Sequence, residues 1–388
     1  MPNGGVGQRG QREYYERLQS FRGFGVLMVA FYHCQGIIGG ELPMHPVPER
    51  HVGMVQVAGH YLALCVLNGH AALMAFFVLS GFVLTLSLRR GPQGAVPASL
   101  AFVGGRIFRI MPANAVAVLV AVGIATIAGA APQAKVPPPW EWSHIFANAT
   151  LVQTTINPVA WSLVVELLAA PCIVGMYLVT RRSGPLPLTV AAAVALVLSF
   201  APGWLGYRPL SRNLFACFAG MLVAEMGPRA AGGMTRRQAA VAFLFALALW
   251  FPSRALLGRW SHFASVAEVF AAATMMALLV YGPQLSSYRV FAFRPILWLG
   301  EISFSLYLYH YMLMALFTFP ADGRMFAWLG GWAPLGALVV AWVVTVALTV
   351  PIAALAYAAV ERTGIAVGRM VTRRWSAGKV APFVTRDT

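Results

Sequence analysis

The chain has 388 residues, of which 59% are hydrophobic and 10% are charged. Soluble globular domains carry about 25% charged residues, so this composition excludes an ordinary soluble domain and predicts a membrane protein. The net charge of +16 does not indicate nucleic acid binding, because the arginines lie in small groups at the ends of apolar stretches. The four cysteines show no CxxC spacing, so we expect neither a disulfide framework nor a metal site.

Ten apolar stretches approach the length of about 20 residues that a helix needs to cross a bilayer. We predict an all-α protein of a bacterial cytoplasmic (inner) membrane, with a cytoplasmic segment, 1–20, a ten-helix transmembrane domain, 21–358, and a basic cytoplasmic tail, 359–388. With both termini inside, 21 of the 28 Lys and Arg residues lie on the cytoplasmic side, as the positive-inside rule requires. The predicted spans are 21–40, 59–88, 111–131, 158–180, 188–206, 211–227, 238–252, 264–282, 296–319 and 334–358. The longest outer loops are 41–58 and 132–157, where an acceptor molecule could bind.

Arg22 and His33 are the first ionisable residues at helix depth, where an unprotected charge costs several kcal/mol. Their separation of eleven residues is about three helical turns, so they project from the same face. We predict a cationic group at the cytoplasmic end of this face and a titratable group near the midplane. The alternative is that Arg22 anchors the helix at the membrane surface and His33 is a hydrogen-bonded core histidine.

The next two predicted helices carry a small-residue step and a pair of arginines. Ser80 and Gly81 would let another helix or a narrow ligand approach closely. Arg106 and Arg109 are three residues apart and share one side of a helix, where two guanidinium groups suit the phosphates of a nucleotide-like cofactor. Simple packing at Gly81 and simple membrane anchoring by the arginines are the alternatives.

The fourth and ninth predicted helices carry further polar groups. Glu166 lies within about two turns of the outer end of its span, where it is a functional candidate or a structural partner of an arginine. Ser305, Tyr307 and His310 lie along the ninth helix, and Tyr307 and His310 share a face. His310 is either a catalyst near the midplane or a core histidine.

Six motifs follow one another along nearly the whole chain, namely Arg22-x10-His33, FFVLSGF, RIFRIMP, WSLVVE, ISFSLYLYH and Val360-Glu361-Arg362. Their order resembles the acyltransferase 3 family of membrane-bound O-acyltransferases. The resemblance implies transfer of an acyl group, commonly acetyl from cytoplasmic acetyl-CoA, to a sugar hydroxyl at or beyond the membrane. Many members have a His two residues before the Trp of WSL and an aromatic pair after the Glu, whereas this chain has Val159 and Leu167-Leu168.

The resemblance maps the family's first-helix Arg and His onto Arg22 and His33, its Arg pair onto Arg106 and Arg109, and its acid onto Glu166. From the chemistry of acyl transfer we expect His33 to act as general base or as a covalent acyl carrier, with Arg22, Glu166 and His310 as the other catalytic residues. We expect acyl-CoA to bind at a cytoplasmic mouth and a carbohydrate or glycoside acceptor to arrive from the outer half near Glu166, with membrane lipid as a further partner. The predicted cofactor-binding residues are Arg106, Arg109, Ser80, Ser305 and Tyr307, of which the last three would donate hydrogen bonds to the thioester carbonyl.

A second hypothesis uses the same intramembrane residues for proton-coupled movement of a glycan or lipid by a transporter or flippase. Such proteins usually carry an internal repeat with matched broken helices in their two halves. The sequence contains no visible internal repeat, so we favour the acyltransferase.

Overall fold

The computed structural model describes residues 4–38, 54–90, 95–128, 138–201, 203–258, 260–318 and 334–377, and within these ranges it contains helices and no strands. The predicted all-α class is therefore confirmed for the described residues. The helices are α1 (Gly4–Ile38), α2 (Met54–Val66), α3 (Gly69–Arg90), α4 (Ala95–Ala128), α5 (Trp142–Ala149), α6 (Trp161–Ser183), α7 (Leu186–Leu198), α8 (Arg208–Gly232), α9 (Arg236–Trp250), α10 (Ser253–Leu257), α11 (His262–Tyr281), α12 (Arg294–Glu301), α13 (Ser303–Thr318), α14 (Pro334–Ala356) and α15 (Arg362–Ala377).

Each of the ten predicted spans contains a helix, but in the described residues only six stretches are long and apolar enough to cross a membrane. They correspond to the second, third, fourth, sixth, eighth and tenth predicted spans. Helix α7 has 13 residues and α9 has 15, which is shorter than a perpendicular crossing requires. The six stretches are Tyr61–Arg90, Ala101–Ile127, Pro158–Ser183, Arg208–Gly232, His262–Tyr281 and Leu335–Thr372.

Several helix boundaries differ from the predicted ones. Helix α1 begins at Gly4, so the polar segment before residue 21 continues the first span as a helix. The tenth span passes through a π-helical turn, Tyr357–Glu361, into α15. The part of the outer loop at 41–53, the segment 129–137 and the end of the basic tail at 378–388 lie outside the described residues.

The second predicted span is interrupted at Asn68, between α2 and α3. The Asn68 side chain accepts a hydrogen bond from the Ala71 backbone N–H at 3.1 Å and so caps α3. Its amide group also contacts the buried carboxylate of Glu268 in α11 at 3.3 Å. The chain can break its helix here because the freed backbone groups and the polar side chain find partners inside the protein.

Helices α3 and α8 cross at their glycines. A Cβ atom on Gly81 would lie 1.9 Å from the Cys217 carbonyl oxygen, and one on Gly220 would lie 1.9 Å from the Val78 carbonyl oxygen. Only glycine fits at both positions, as at other close helix crossings in membranes. The small-residue step at Gly81 therefore serves helix packing, while its neighbour Ser80 points elsewhere.

The packing of α1 against α3 and α13 sets the register of the polar residues. Gly25 packs on Phe76 and Gly69 packs on Tyr32, so α1 and α3 run antiparallel. Because Ser80 lies one turn beyond Phe76, it is level with the Arg22 end of α1. Helix α13 runs parallel to α1, because Ser303 lines the same cavity as Arg22 whereas His310 lies beside His33.

Candidate functional site

A cavity of about 280 Å³ lies among α1, α3, α4, α6 and α13. Six of the nine predicted site residues line it, although they come from five helices that are far apart in sequence. The other three, His33, His310 and Ser305, do not line it. The cavity residues among the predicted ones are Arg22, Ser80, Arg106, Arg109, Glu166 and Tyr307.

Arg106 and Glu166 form an ion pair at the cavity wall, between the Arg106 Nη2 and the Glu166 Oε2 atoms. Their side chains are 11% and 22% exposed, so the pair is largely removed from solvent. This pairing agrees with the alternative in which Glu166 is the structural partner of an arginine. The predicted start of the third span at residue 111 needs correction, because Arg106 lies inside the 34-residue helix α4. The helix begins at Ala95, about three turns before Arg106.

Arg109 is bound by a carboxylate that the candidate list from the sequence does not contain. Its Nη2 atom lies 3.0 Å from the Oε1 atom of Glu361, which is 2% exposed and ends the π-helical turn after α14. Ser305 donates to the other carboxylate oxygen of Glu361 at 3.2 Å. In this arrangement the Ser305 hydroxyl proton is donated to Glu361, and Ser305 does not line the cavity. π-Helical turns often mark functional sites, and this one turns Glu361 toward Arg109.

Arg22 is the cavity arginine that forms no ion pair with a described carboxylate. The Nε atoms of Arg106 and Arg109 are also buried without a hydrogen-bond partner among the described residues. Buried guanidinium N–H groups usually have partners, so the cavity retains donors and positive charge for an anionic ligand. The binding of phosphate by Arg106 and Arg109 stays a prediction, and Arg22 lines the same cavity as these two arginines.

Tyr307 lines the cavity with its ring and is hydrogen-bonded through its hydroxyl group to the start of α6. Its hydroxyl group donates to the Val159 carbonyl oxygen at 2.9 Å and accepts from Ser162 at 2.9 Å. Because its only proton is already donated, Tyr307 is not a free donor for a thioester carbonyl in this arrangement. Its ring still lines the cavity, so it contributes shape rather than a hydrogen bond.

His33 and His310 lie together beyond Tyr307. Their ring centroids are 5.1 Å apart, and the ring of Tyr311 lies 5.0 Å from that of His33. His310 is fully buried, and its Nδ1 atom lies 2.7 Å from the Tyr307 carbonyl oxygen. A carbonyl oxygen only accepts, so Nδ1 carries the proton and Nε2 is an acceptor. This Nε2 has no hydrogen-bond partner among the described residues.

The predicted site residues therefore form two groups at different levels along α1. The arginine group contains Arg22 and Ser80, and the histidine group contains His33 and His310. The groups are about 16 Å apart along the helix axis. Ser80 lies at the arginine level, so it cannot reach a thioester that reacts beside His33.

One of the comparisons with known proteins identifies the family. The sequence model of a family described as an acyltransferase domain matches residues 15–357, nearly the whole chain. The chain belongs to this acyltransferase family. Neither the curated proteins nor the solved structures contain a match. The matched region contains all nine predicted site residues and ends just before Glu361.

Proposed function

We propose that the protein is a membrane O-acyltransferase that moves an acyl group, commonly acetyl, from acyl-CoA to a hydroxyl group of a carbohydrate or glycoside. The observation that carries the proposal is an arginine-lined cavity on one side of Tyr307 and, beyond Tyr307 along α1, the half-buried His33 beside the fully buried His310. A cationic cavity suits an anionic donor, and an imidazole suits proton transfer near neutral pH. The proposed location is a bacterial inner membrane, with ten crossings and both termini in the cytoplasm.

The cavity would hold a part of the donor rather than all of it. Its volume of about 280 Å³ is at the lower end of the roughly 300–1,000 Å³ of ligand pockets. We place the phosphate end of the donor at Arg22, with the N–H groups of Arg106 and Arg109 and the hydroxyl of Ser80 beside it. The extended pantetheine arm then passes Tyr307 and brings the thioester toward His33.

The reaction needs one proton acceptor and one proton donor. The acceptor hydroxyl attacks the thioester carbonyl while the His33 imidazole takes its proton, which forms a C–O ester bond. The C–S bond then breaks, and the imidazolium returns the proton to the departing CoA thiolate. In the covalent alternative, an unprotonated nitrogen of His33 attacks the thioester carbonyl, the C–S bond breaks, and the CoA thiolate leaves with the proton of the acylated imidazolium. The acceptor hydroxyl then attacks the acyl group, the C–N bond breaks, and the released imidazole takes the hydroxyl proton. In both routes the acyl group moves from the CoA sulfur to the acceptor oxygen, and CoA is released as a thiol.

A transfer assay with radiolabelled acetyl-CoA tests the proposal. Membranes that contain the protein are incubated with the donor, and label is measured in the glycan fraction. We expect His33→Ala to reduce the rate by about 10²- to 10⁴-fold, the usual contribution of a general base. We expect an Arg106→Ala/Arg109→Ala double variant to raise the apparent KM for acetyl-CoA.

Matched variants separate these effects from damage to the fold. His262→Ala removes a histidine that bonds Ser199 at 2.6 Å outside the cavity, and Arg89→Ala removes an arginine paired with Glu225 at 2.7 Å. Both controls should keep the native rate and KM. Transfer by His33→Ala at the native rate would reject the base, and no label transfer by the native protein would reject the acyltransferase.

A further inference from the structure

A second, polar groove lies in the segment that precedes α6. It has a volume of about 340 Å³ and combines one indole ring with carboxylate, imidazole, hydroxyl and amide groups. None of these groups belongs to the cavity described above. The lining residues are Pro139, Trp140, Glu141, Ser143, His144, Ala147 and Gln153.

The groove is formed by α5, the residues just before it and the loop 150–157 after it, and hydrogen bonds join this loop to α5. The buried side chain of Asn148 accepts from the backbone N–H groups of Thr155 at 2.8 Å and Ile156 at 3.0 Å. His144, which lines the groove, is held through its Nε2 atom by the Thr155 hydroxyl at 2.9 Å. Leu151 turns the chain at a φ of 61°, a left-handed conformation that is costly for a bulky residue. These hydrogen bonds therefore hold the backbone beneath the groove and the His144 side chain in place.

The end of this loop and the turn before α6 are hydrogen-bonded to α13, the helix that carries Tyr307 and His310. The amide group of Asn157 donates to the Leu308 carbonyl oxygen at 3.1 Å, and the Tyr307 hydroxyl donates to the Val159 carbonyl oxygen at 2.9 Å. The groove thus has a fixed position relative to the histidine pair. It also lies at the Trp161 end of α6, opposite the end with Arg181 and Arg182 that the charge distribution places in the cytoplasm.

We propose that this groove binds a neutral or amino sugar ring of the acceptor. The C–H face of a pyranose packs on the negative face of an indole ring, here Trp140. The surrounding side chains offer donors and acceptors to sugar hydroxyls, and Glu141 would repel an acidic sugar. The proposal rests on the proposed function in one respect, namely that the bound sugar belongs to the molecule that receives the acyl group.

A binding experiment without donor tests the groove separately from catalysis. The full-length protein in lipid nanodiscs is applied to an array of soluble neutral, amino and acidic oligosaccharides. We expect selective retention of neutral or amino glycans and a loss of about tenfold or more in Trp140→Ala. We expect Glu141→Gln to gain binding of acidic glycans. Trp142→Ala is the matched control, since Trp142 lies two residues after Trp140 at the start of α5 and is 80% exposed but does not line the groove.

The outcomes are distinguishable. Three results would overturn the proposal that the groove binds a sugar. They are native affinity in Trp140→Ala, a preference of the native protein for acidic glycans, and no retention of any neutral or amino glycan. If the array result holds while the native protein transfers no label from acetyl-CoA, the groove stands as a glycan site and the acyltransferase fails. If label transfer holds and Trp140→Ala leaves the acceptor KM unchanged, only the groove fails.

Discussion

Two buried clusters of charged residues differ in how completely their hydrogen bonds are satisfied. In the first, Glu268 is fully buried and accepts from Arg254 Nε at 2.8 Å and Nη2 at 2.9 Å, from His70 at 2.7 Å and from Ser253 at 2.9 Å. Among the described residues, no buried side-chain polar atom of this cluster lacks a partner. The adjoining pocket measures only about 10 Å³.

The arginine cavity is built from the same residue types but is incomplete. Arg106 and Arg109 each have a carboxylate partner yet keep a buried Nε atom without a partner, and His310 Nε2 above them also lacks one among the described residues. A satisfied network stabilises a fold, whereas an unsatisfied one next to a cavity is prepared for a ligand. Intramembrane charge alone therefore does not identify a functional site, and hydrogen-bond satisfaction separates the two clusters.

Loss of Glu268 should be the largest effect on stability. Glu268→Ala leaves the buried charge of Arg254 uncompensated, which costs about 3–5 kcal/mol in comparable buried pairs. Thermal unfolding in nanodiscs measures this loss, and the milder Glu268→Gln should fall between the variant and the native protein. Glu225→Ala, which breaks a partly exposed pair, is the control and should cost less than about 1 kcal/mol. An unchanged unfolding temperature in Glu268→Ala would contradict the structural role.

Loss of Arg22 should affect donor binding rather than stability. Arg22→Ala removes a charge-assisted contact of about 1.5–3 kcal/mol, which corresponds to a rise of roughly 10- to 150-fold in the apparent KM for acetyl-CoA. Initial rates at varied donor concentration give this value, and Arg22→Lys should recover part of it. A native KM in Arg22→Ala, with Arg89→Ala as the matched arginine control, would remove Arg22 from the donor site.

Loss of the Glu361 charge should give the smallest change. Glu361 is a positioning residue that acts through Arg109, so Glu361→Gln should raise the donor KM about fivefold, or about 1 kcal/mol, and leave kcat near native. Glu301→Gln changes an exposed glutamate at the end of α12 and serves as the control. A fall in kcat at an unchanged KM, or no kinetic change at all, would refute this role.

Some of the site could be predicted from the sequence. Arg22 and His33 lie on one helix, so their shared face follows from the helical period, and six of the nine candidates do meet at one cavity. Their partners were not predictable from spacing. Arg106 pairs with a residue 60 positions away and Arg109 with one 252 positions away, and helix packing brings these pairs together. Glu361 was therefore missed as a site residue, although it lay in one of the motifs.

Composition and hydrophobic length by themselves determined that this is a helical membrane protein, because the bilayer imposes those properties on each helix separately. The order of the motifs determined the family. Only the tertiary structure decided that Glu166 faces the arginines, that Tyr307 has already donated its proton and that Ser80 and His33 belong to different levels. These facts depend on the register and crossing of helices distant in sequence, which local periodicity does not encode.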